Sequence, residues 1–438
     1  MSRIGTFAAA ALACLAAAAS QALEIERVTT PGGVEAWLIR DRTAPVLAIQ
    51  ASFRGGSAQD PAGKEGLASL MTGLLDEGAG PHDSQAFKAR LEDKSIELSA
   101  DADRDYLGVG VRTLSDRRDE AVEMLALALT EPRFDPAALE RVRGQALAQI
   151  QRDAENPRSI AWRTLWTSLF PGHPYARRAQ GTLESVQALT REDMVAFHRA
   201  AMTREGLKIG VVGDITAEEL KPLLDRAFAK LPAKGALAAV PEAAPASPGT
   251  TTVVRRAIPQ SVVTFGHFGL KRDDPDYYAA FVVNYILGGG GFNSRLMEEV
   301  REKRGLAYSV GSSLSTLAHA GLVLGSSGTE NQQAATSIDL IRKEWRRMRD
   351  EGPSEAELAN AKTYLTGSFP LQMSSTGWIA RLLVSIQVEN LGIDYLKKRN
   401  SYIEKVTIAD ARRVAKRLYD PDKLTVVVVG DPAGIPAN

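Results

Sequence analysis

Short apolar runs alternate with amphipathic stretches along this chain, and the alternation occurs twice. In the first half, residues 46–55 and 106–111 read as strands. Lys208-Ile209-Gly210-Val211-Val212-Gly213-Asp214 reads as a buried strand closed by Gly-Asp. The second half repeats the order with residues 262–269, residues 321–325 and Thr425-Val426-Val427-Val428-Val429-Gly430-Asp431. Gly55 and Gly269 are 214 residues apart, and Gly213 and Gly430 are 217 apart. Two offsets that agree within three residues mean a duplicated domain, because solenoid repeats are far shorter. Between the halves, residues 232–250 carry Pro232, Pro241, Pro245 and Pro248 among alanines, with Ser247 and Gly249. That composition predicts an extended linker that lets the halves face one another. Strand pairs set between long amphipathic helices predict an α+β fold. The expected architecture is two homologous α/β-sandwich domains, residues 23–231 and 251–438, with mixed or antiparallel sheets.

The length of 438 residues suits two domains of roughly 200 residues each. Lysine plus arginine equals aspartate plus glutamate at 53 each, so no global field favours nucleic acid as a partner. Arg3, the alanine-rich apolar residues 7–19 and the small-x-small Ser20-Gln21-Ala22 predict a secretory signal peptide over residues 1–22, cut near Ala22. The composition of this segment suits a bacterium and a periplasmic protein. No later stretch reaches about 18 uninterrupted apolar residues, so no transmembrane segment is expected. The one cysteine, Cys14, lies inside the signal, which leaves the mature chain without a disulfide or a cysteine ligand. A lipoprotein box at Cys14 is set aside: Ala11 stands where such boxes carry leucine, and the apolar region would be very short.

Candidate chemistry begins on the helix predicted over residues 64–77, where Leu67, Leu70, Met71, Leu74 and Leu75 follow the spacing of one buried face. Gly66-Leu67-Ala68-Ser69-Leu70-Met71-Thr72-Gly73-Leu74-Leu75 resembles a segment of the M16 zinc metallopeptidases, the insulinase, pitrilysin and processing-peptidase group. In active members that segment carries His-x-x-Glu-His. Its two histidines, one turn apart, reach one zinc, and its glutamate activates the bound water. Here Ser69 and Gly73 stand at the histidine positions and Thr72 at the glutamate position. A second helix, opening at Asp135-Pro136 and running through Asp153, would carry the third ligand. The resemblance puts Gln149 at that position. None of the four provides an imidazole or a carboxylate, so no zinc is expected on this chain.

The five histidines are His82, His173, His198, His267 and His319, and no two are spaced for one helix face. His173, within Phe170-Pro171-Gly172-His173-Pro174-Tyr175, reads as a hydrogen-bonded loop histidine. Asp76 and Glu77 read as solvated residues at a helix end before Gly78.

The stretch Leu287-Gly288-Gly289-Gly290-Gly291-Phe292-Asn293-Ser294-Arg295-Leu296-Met297-Glu298-Glu299-Val300-Arg301 continues as Glu302-Lys303-Arg304-Gly305-Leu306-Ala307-Tyr308-Ser309-Val310. It reads as glycine loop, helix capped by Asn293 or Ser294, stop at Gly305, and strand. It resembles the signature of the M16 C-terminal domain. In that family an arginine and a tyrosine seven positions apart grip the substrate backbone, and the matching residues are Arg301 and Tyr308. A guanidinium and a phenol both donate, so together they suit peptide carbonyls or a developing oxyanion. The plain alternative makes Arg301 a solvated helix residue and Tyr308 a core residue at a strand start; Arg304 is the next candidate. Gly288–Gly291 lack the Gly-Lys-Ser/Thr of a phosphate loop and follow a helix instead of a strand, so they read as a substrate-side loop or tight turn.

Some M16 members work as pairs in which one subunit holds zinc and the other supplies the arginine and tyrosine. The resemblance therefore implies a non-catalytic accessory subunit acting on unfolded peptide beside a zinc-bearing M16 partner. Two other expectations remain: a non-proteolytic structural subunit like the core proteins of respiratory complexes, and a stand-alone peptide-binding protein.

Overall fold

The computed structural model describes residues 24–243 and 246–436. The expected signal peptide and Cys14 lie outside the described residues. The first half builds a six-stranded sheet from β1 (Ile25–Thr29), β2 (Glu35–Arg40), β3 (Val46–Arg54), β4 (Glu97–Ala102), β5 (Tyr106–Leu114) and β6 (Lys208–Gly213), in the order β1-β2-β6-β3-β5-β4. The second half builds a five-stranded sheet from β7 (Thr251–Arg255), β8 (Gln260–Phe268), β9 (Ala307–Thr316), β10 (Gly321–Glu330) and β11 (Thr425–Gly430), in the order β7-β11-β8-β10-β9. Without β1, the two orders correspond strand for strand. Each sheet has one parallel pair, β2 with β6 and β7 with β11. The remaining pairs are antiparallel. The duplication legible in the glycine spacing is thus a duplication of topology.

The valine run of β11 shows why these strands are apolar throughout. Side chains alternate between faces of a sheet. Val426 and Val428 enter the core of the second half, against helices such as Ile408–Leu418. Val427 and Val429 enter a different core on the other face, with Leu165 and Leu169. Those leucines belong to helix Pro157–Leu169 of the first half. The reciprocal arrangement holds for the first sheet. Trp37, Ile39, Ala48 and Val212 pack against Ile379, Ala380, Leu383 and Ile386 of helix Thr376–Val388. Each half therefore lays one helix on the outer face of the other's sheet.

These two helices start 219 residues apart, close to the strand repeat. Each begins at a side-chain cap. Asn156 accepts from the Arg158 and Ser159 amides, and Ser375 accepts from the Trp378 amide. Gln387 donates to the Ile209 carbonyl (2.9 Å) and Thr264 donates to the Ala161 carbonyl (3.2 Å), so the crossing is hydrogen-bonded as well as packed.

The described part of residues 232–250 has no regular secondary structure but is tied down. The Gln59 amide donates to the Ala238 carbonyl, and the Ala243 amide donates to the His319 carbonyl. Among the described residues no helix is long and apolar enough to cross a membrane.

Candidate functional site

The helix expected over residues 64–77 is shorter, Leu67–Thr72. Gly66 holds φ +94° at its start, and Gly73 sits at its end. Beyond it the Leu74, Leu75 and Glu77 amides bond three residues back, so the chain tightens into turns. The apolar face is still buried, with Leu67, Leu70, Met71, Leu74 and Leu75 all in the core. Buried Asp60 receives the Gly66 and Ala68 amides at 2.8 and 2.9 Å, and burial pushes its carboxyl up to about 7.

The polar side chains at the catalytic positions are committed elsewhere. Ser69 donates to the Ala179 carbonyl (2.8 Å), and Thr72 donates back to the Ala68 and Ser69 carbonyls (3.0 and 3.1 Å). Gly73 faces the second helix, Pro136–Glu155, where a Cβ on it would lie 3.5 Å from Val142. Gln149 is seven residues further along that helix, about 10 Å by its rise. It is exposed, donates to Asp153 (3.0 Å) and accepts from Arg152 (2.6 Å). The structure brings Ser69, Thr72 and Gly73 together, while Gln149 binds its own helix neighbours.

Glu77 corrects the solvated reading. It is 4% exposed and receives Lys88, Ser84 and Arg141. Burial alone would raise its carboxyl, but those three donors outweigh burial and hold it below the usual carboxylate range. It anchors the turn after the short helix to helices Ser84–Asp93 and Pro136–Glu155. Asp76 is half-buried, and burial raises its carboxyl.

On the second half, the glycine-rich stretch folds into two tight turns, a π-helical one at Tyr285–Gly289 and a 3-10 one at Gly291–Asn293. Gly288 packs so closely on β9 that a Cβ would meet the Ser312 hydroxyl at 2.3 Å. Close packing explains this glycine. Ser294, not Asn293, turns its hydroxyl to the start of the next helix, with the Met297 amide at 3.4 Å. That helix passes into π-helical geometry over Met297–Glu302, and Gly305 ends the segment at φ +63°.

Arg301 lies in this π-helical turn, and its guanidinium carbon is 5.7 Å from the ring of Tyr308 at the head of β9. Tyr308 is 82% exposed and so is not a core residue. Phe292, 66% exposed, covers the same guanidinium at 4.7 Å. Two exposed aromatic rings thus flank one cation within cation–π range. The charge pattern around them is uneven. Glu299 binds both Lys303 and Arg304, which hold its carboxyl at about 2. Arg304 is therefore neutralised, whereas among the described residues Arg301 has only Glu302 at 3.7 Å. Arg301 is thus less tightly paired than Arg304.

Residues 36–183 match the insulinase (peptidase family M16) model, and residues 188–365 match that of the peptidase M16 inactive domain. The chain belongs to peptidase family M16.

Its relatives include a Helicobacter pylori protein named non-peptidase homolog YmxG, 29% identical over 88% of this chain and 89% of that one. An uncharacterised zinc protease of Streptomyces coelicolor is 26% identical over 90% of this chain and 86% of that one. The crystal structure of a peptidase M16 inactive domain from Pseudomonas fluorescens superposes with a TM-score of 0.88 at 28% identity, covering 95% of this chain and 99% of that one.

The zinc of active M16 members does not fit this chain's donor set. Two hydroxyls serve backbone carbonyls, one position has no side chain, and the amide of Gln149 is bound to its own helix. Among the described residues no group of three or more His, Cys, Asp or Glu could hold a metal ion. Three of the five histidines have structural partners in the fold. His173 joins the Tyr175 amide to the Pro241 carbonyl, His198 reaches the Leu129 carbonyl, and His267 accepts from the indole of Trp345. Phe292 is the site residue that sequence reasoning missed. Its only signal was an aromatic residue standing in a glycine-rich turn.

Proposed function

We propose that this M16 chain is an accessory subunit that does not cleave by itself. It grips unfolded peptide with Arg301 and Tyr308 while a zinc-bearing M16 partner, met in the periplasm, cuts it. The observation that carries this reading is the exposed Tyr308 standing beside Arg301, which has one long ion pair with Glu302, in a chain whose catalytic positions carry no ligand chemistry. The phenol and the guanidinium are neighbouring donors, the chemistry that peptide carbonyls require. The sheet edges support the same role. β4 and β9 end their sheets, so an extended peptide can add to either through main-chain hydrogen bonds with little sequence preference. The non-peptidase name of the Helicobacter pylori relative agrees with the absence of independent cleavage.

The test is peptidase activity on unfolded peptides, measured for the purified chain alone and after mixing with an M16 protein that carries His-x-x-Glu-His. Activity only in the mixture, abolished by a chelator, is the expected result. Chelator-sensitive cleavage by this chain alone would overturn the reading. Tight peptide binding with no effect on any such partner would favour the stand-alone binder, for which the same edge strands would serve.

A further inference from the structure

Beside the former catalytic helix lies a cavity of about 350 Å3. Five arginines line it, Arg104, Arg158, Arg163, Arg177 and Arg178, against one acid, Asp153. The cavity adjoins the vacated metal position, because the carbonyl of Ala179 in its wall is the group that Ser69 donates to. Arg158 and Arg163 come from helix Pro157–Leu169, whose Trp162 and Trp166 share that wall. Neither arginine has an ion pair among the described residues. Asp153 is already bound by the Gln149 amide and the Ser159 hydroxyl. Arg177 donates to the Asp60 carbonyl (2.6 Å), and Arg104 lies 3.5 Å from the Trp166 ring centroid. Burial disfavours the charge of Arg104 and lowers its pKa, so an anion arriving beside it would relieve that cost.

We propose that this cavity binds a carboxylate carried by a peptide. Forked guanidinium groups match a planar carboxylate, and the excess of positive charge in a partly enclosed space selects an anion. The occupant is a chain and not a small ion because of what lies next door. Arg104 and Trp166 also line a larger cavity of about 620 Å3 whose walls come from both halves, so the two cavities share a wall and a peptide lying in the larger one passes beside the smaller. The inference rests on the reading of the protein as a peptide-gripping subunit, and it names the peptides preferred: those bearing acidic side chains or a free C-terminus.

The experiment uses the mature chain and three fluorescent peptides of equal length. One carries acidic side chains and an amidated C-terminus, one is neutral with a free C-terminal carboxylate, and one is neutral and amidated. At least one carboxylate-bearing peptide should bind roughly tenfold more tightly than the neutral amidated one, and which of the two does so identifies the source of the carboxylate. Arg158→Gln with Arg163→Gln should abolish that preference while leaving neutral-peptide affinity and the thermal midpoint unchanged. Arg158→Gln alone, on an exposed position, should halve the preference or more. Equal binding of all three peptides, retention of the preference by the variants, or equal competition by inorganic phosphate would overturn the proposal and leave the gripping role standing. Failure of every peptide to bind would overturn both.

Discussion

Arg301 and Tyr308 were candidates by resemblance, and their surroundings turn them into a testable pair. Arg301→Ala should lower the cleavage rate of the two-protein mixture at least tenfold, since each lost charge-assisted hydrogen bond to peptide is about a factor of ten. Tyr308→Phe keeps the ring and removes the donor, and should cost less than Arg301→Ala. Both variants should still assemble with the partner by size-exclusion chromatography. Full activity in both would remove the assigned role. A second residue-scale test concerns Arg295 and Glu357. Arg295 is buried, donates twice to Glu357 and once to the Gly352 carbonyl, and so pins helix Glu355–Gly367 to the glycine-rich segment. Burial would raise the Glu357 carboxyl, but Arg295 and the Ser354 cap hold it at about 2. A depressed carboxylate contributes stability above its unfolded pKa, near 4.5, and loses it as pH falls toward 2. Glu357→Gln should therefore cost about 1–2 kcal/mol at pH 7, less than breaking a fully buried pair because the Glu357 carboxylate is partly screened by solvent. Urea titrations should show that gap closing between pH 4.5 and 2. A gap that does not change with pH would mean that the pair is not the cause.

At the scale of elements, the exchanged helices decide the design. Gly210 in β6 is read as a strand residue from its apolar neighbours, but its lack of a side chain has a packing cause. A Cβ there would lie 2.4 Å from the Ala380 carbonyl oxygen and 2.9 Å from Cβ of Leu383. Helix Thr376–Val388 can touch the sheet because that position is glycine. Gly210→Val should drive the helix outward and destabilise the protein by several kcal/mol, as overpacking and a lost hydrogen bond from Gln387 to Ile209 combine. Leu383→Ala, at a fully buried contact, should cost about 2–5 kcal/mol. Thermal unfolding of both variants checks this. An unchanged midpoint for Gly210→Val would show that the helix is free to shift.

For the whole molecule, the same exchange predicts cooperativity. Each sheet packs its inner face on its own helices but lacks cover for its apolar outer face until the other half supplies a helix, so either half alone would expose that face. The wild-type protein should unfold in one transition despite having two duplicated halves. Residues 24–240 expressed alone should be insoluble or bind a hydrophobic dye, and co-expression with residues 241–438 should restore soluble protein. A first half that folds alone with a sharp transition of its own would refute the coupling.

Much of the fold and part of the site were legible in the residues, and the boundary between the two is physical. Strand identity, the duplication and the α+β class follow from local pattern, since valine runs, Gly-Asp endings and periodic leucines act over a few neighbours. The loss of zinc chemistry is equally local, because no arrangement can draw an imidazole from Ser69 or Gly73. Contacts between distant residues are not encoded locally. Phe292 beside Arg301, Glu77 buried among Lys88 and Arg141, and Arg104 meeting Arg158 across a cavity each join segments separated by nine or more residues. The exposed state of Tyr308 belongs with them, for the same tyrosine would suit a core or a surface at a strand start. The sequence alone determined which groups could not do catalysis. Tertiary packing decided which charged and aromatic groups stay exposed, because exposure depends on whether distant neighbours neutralise or bury them.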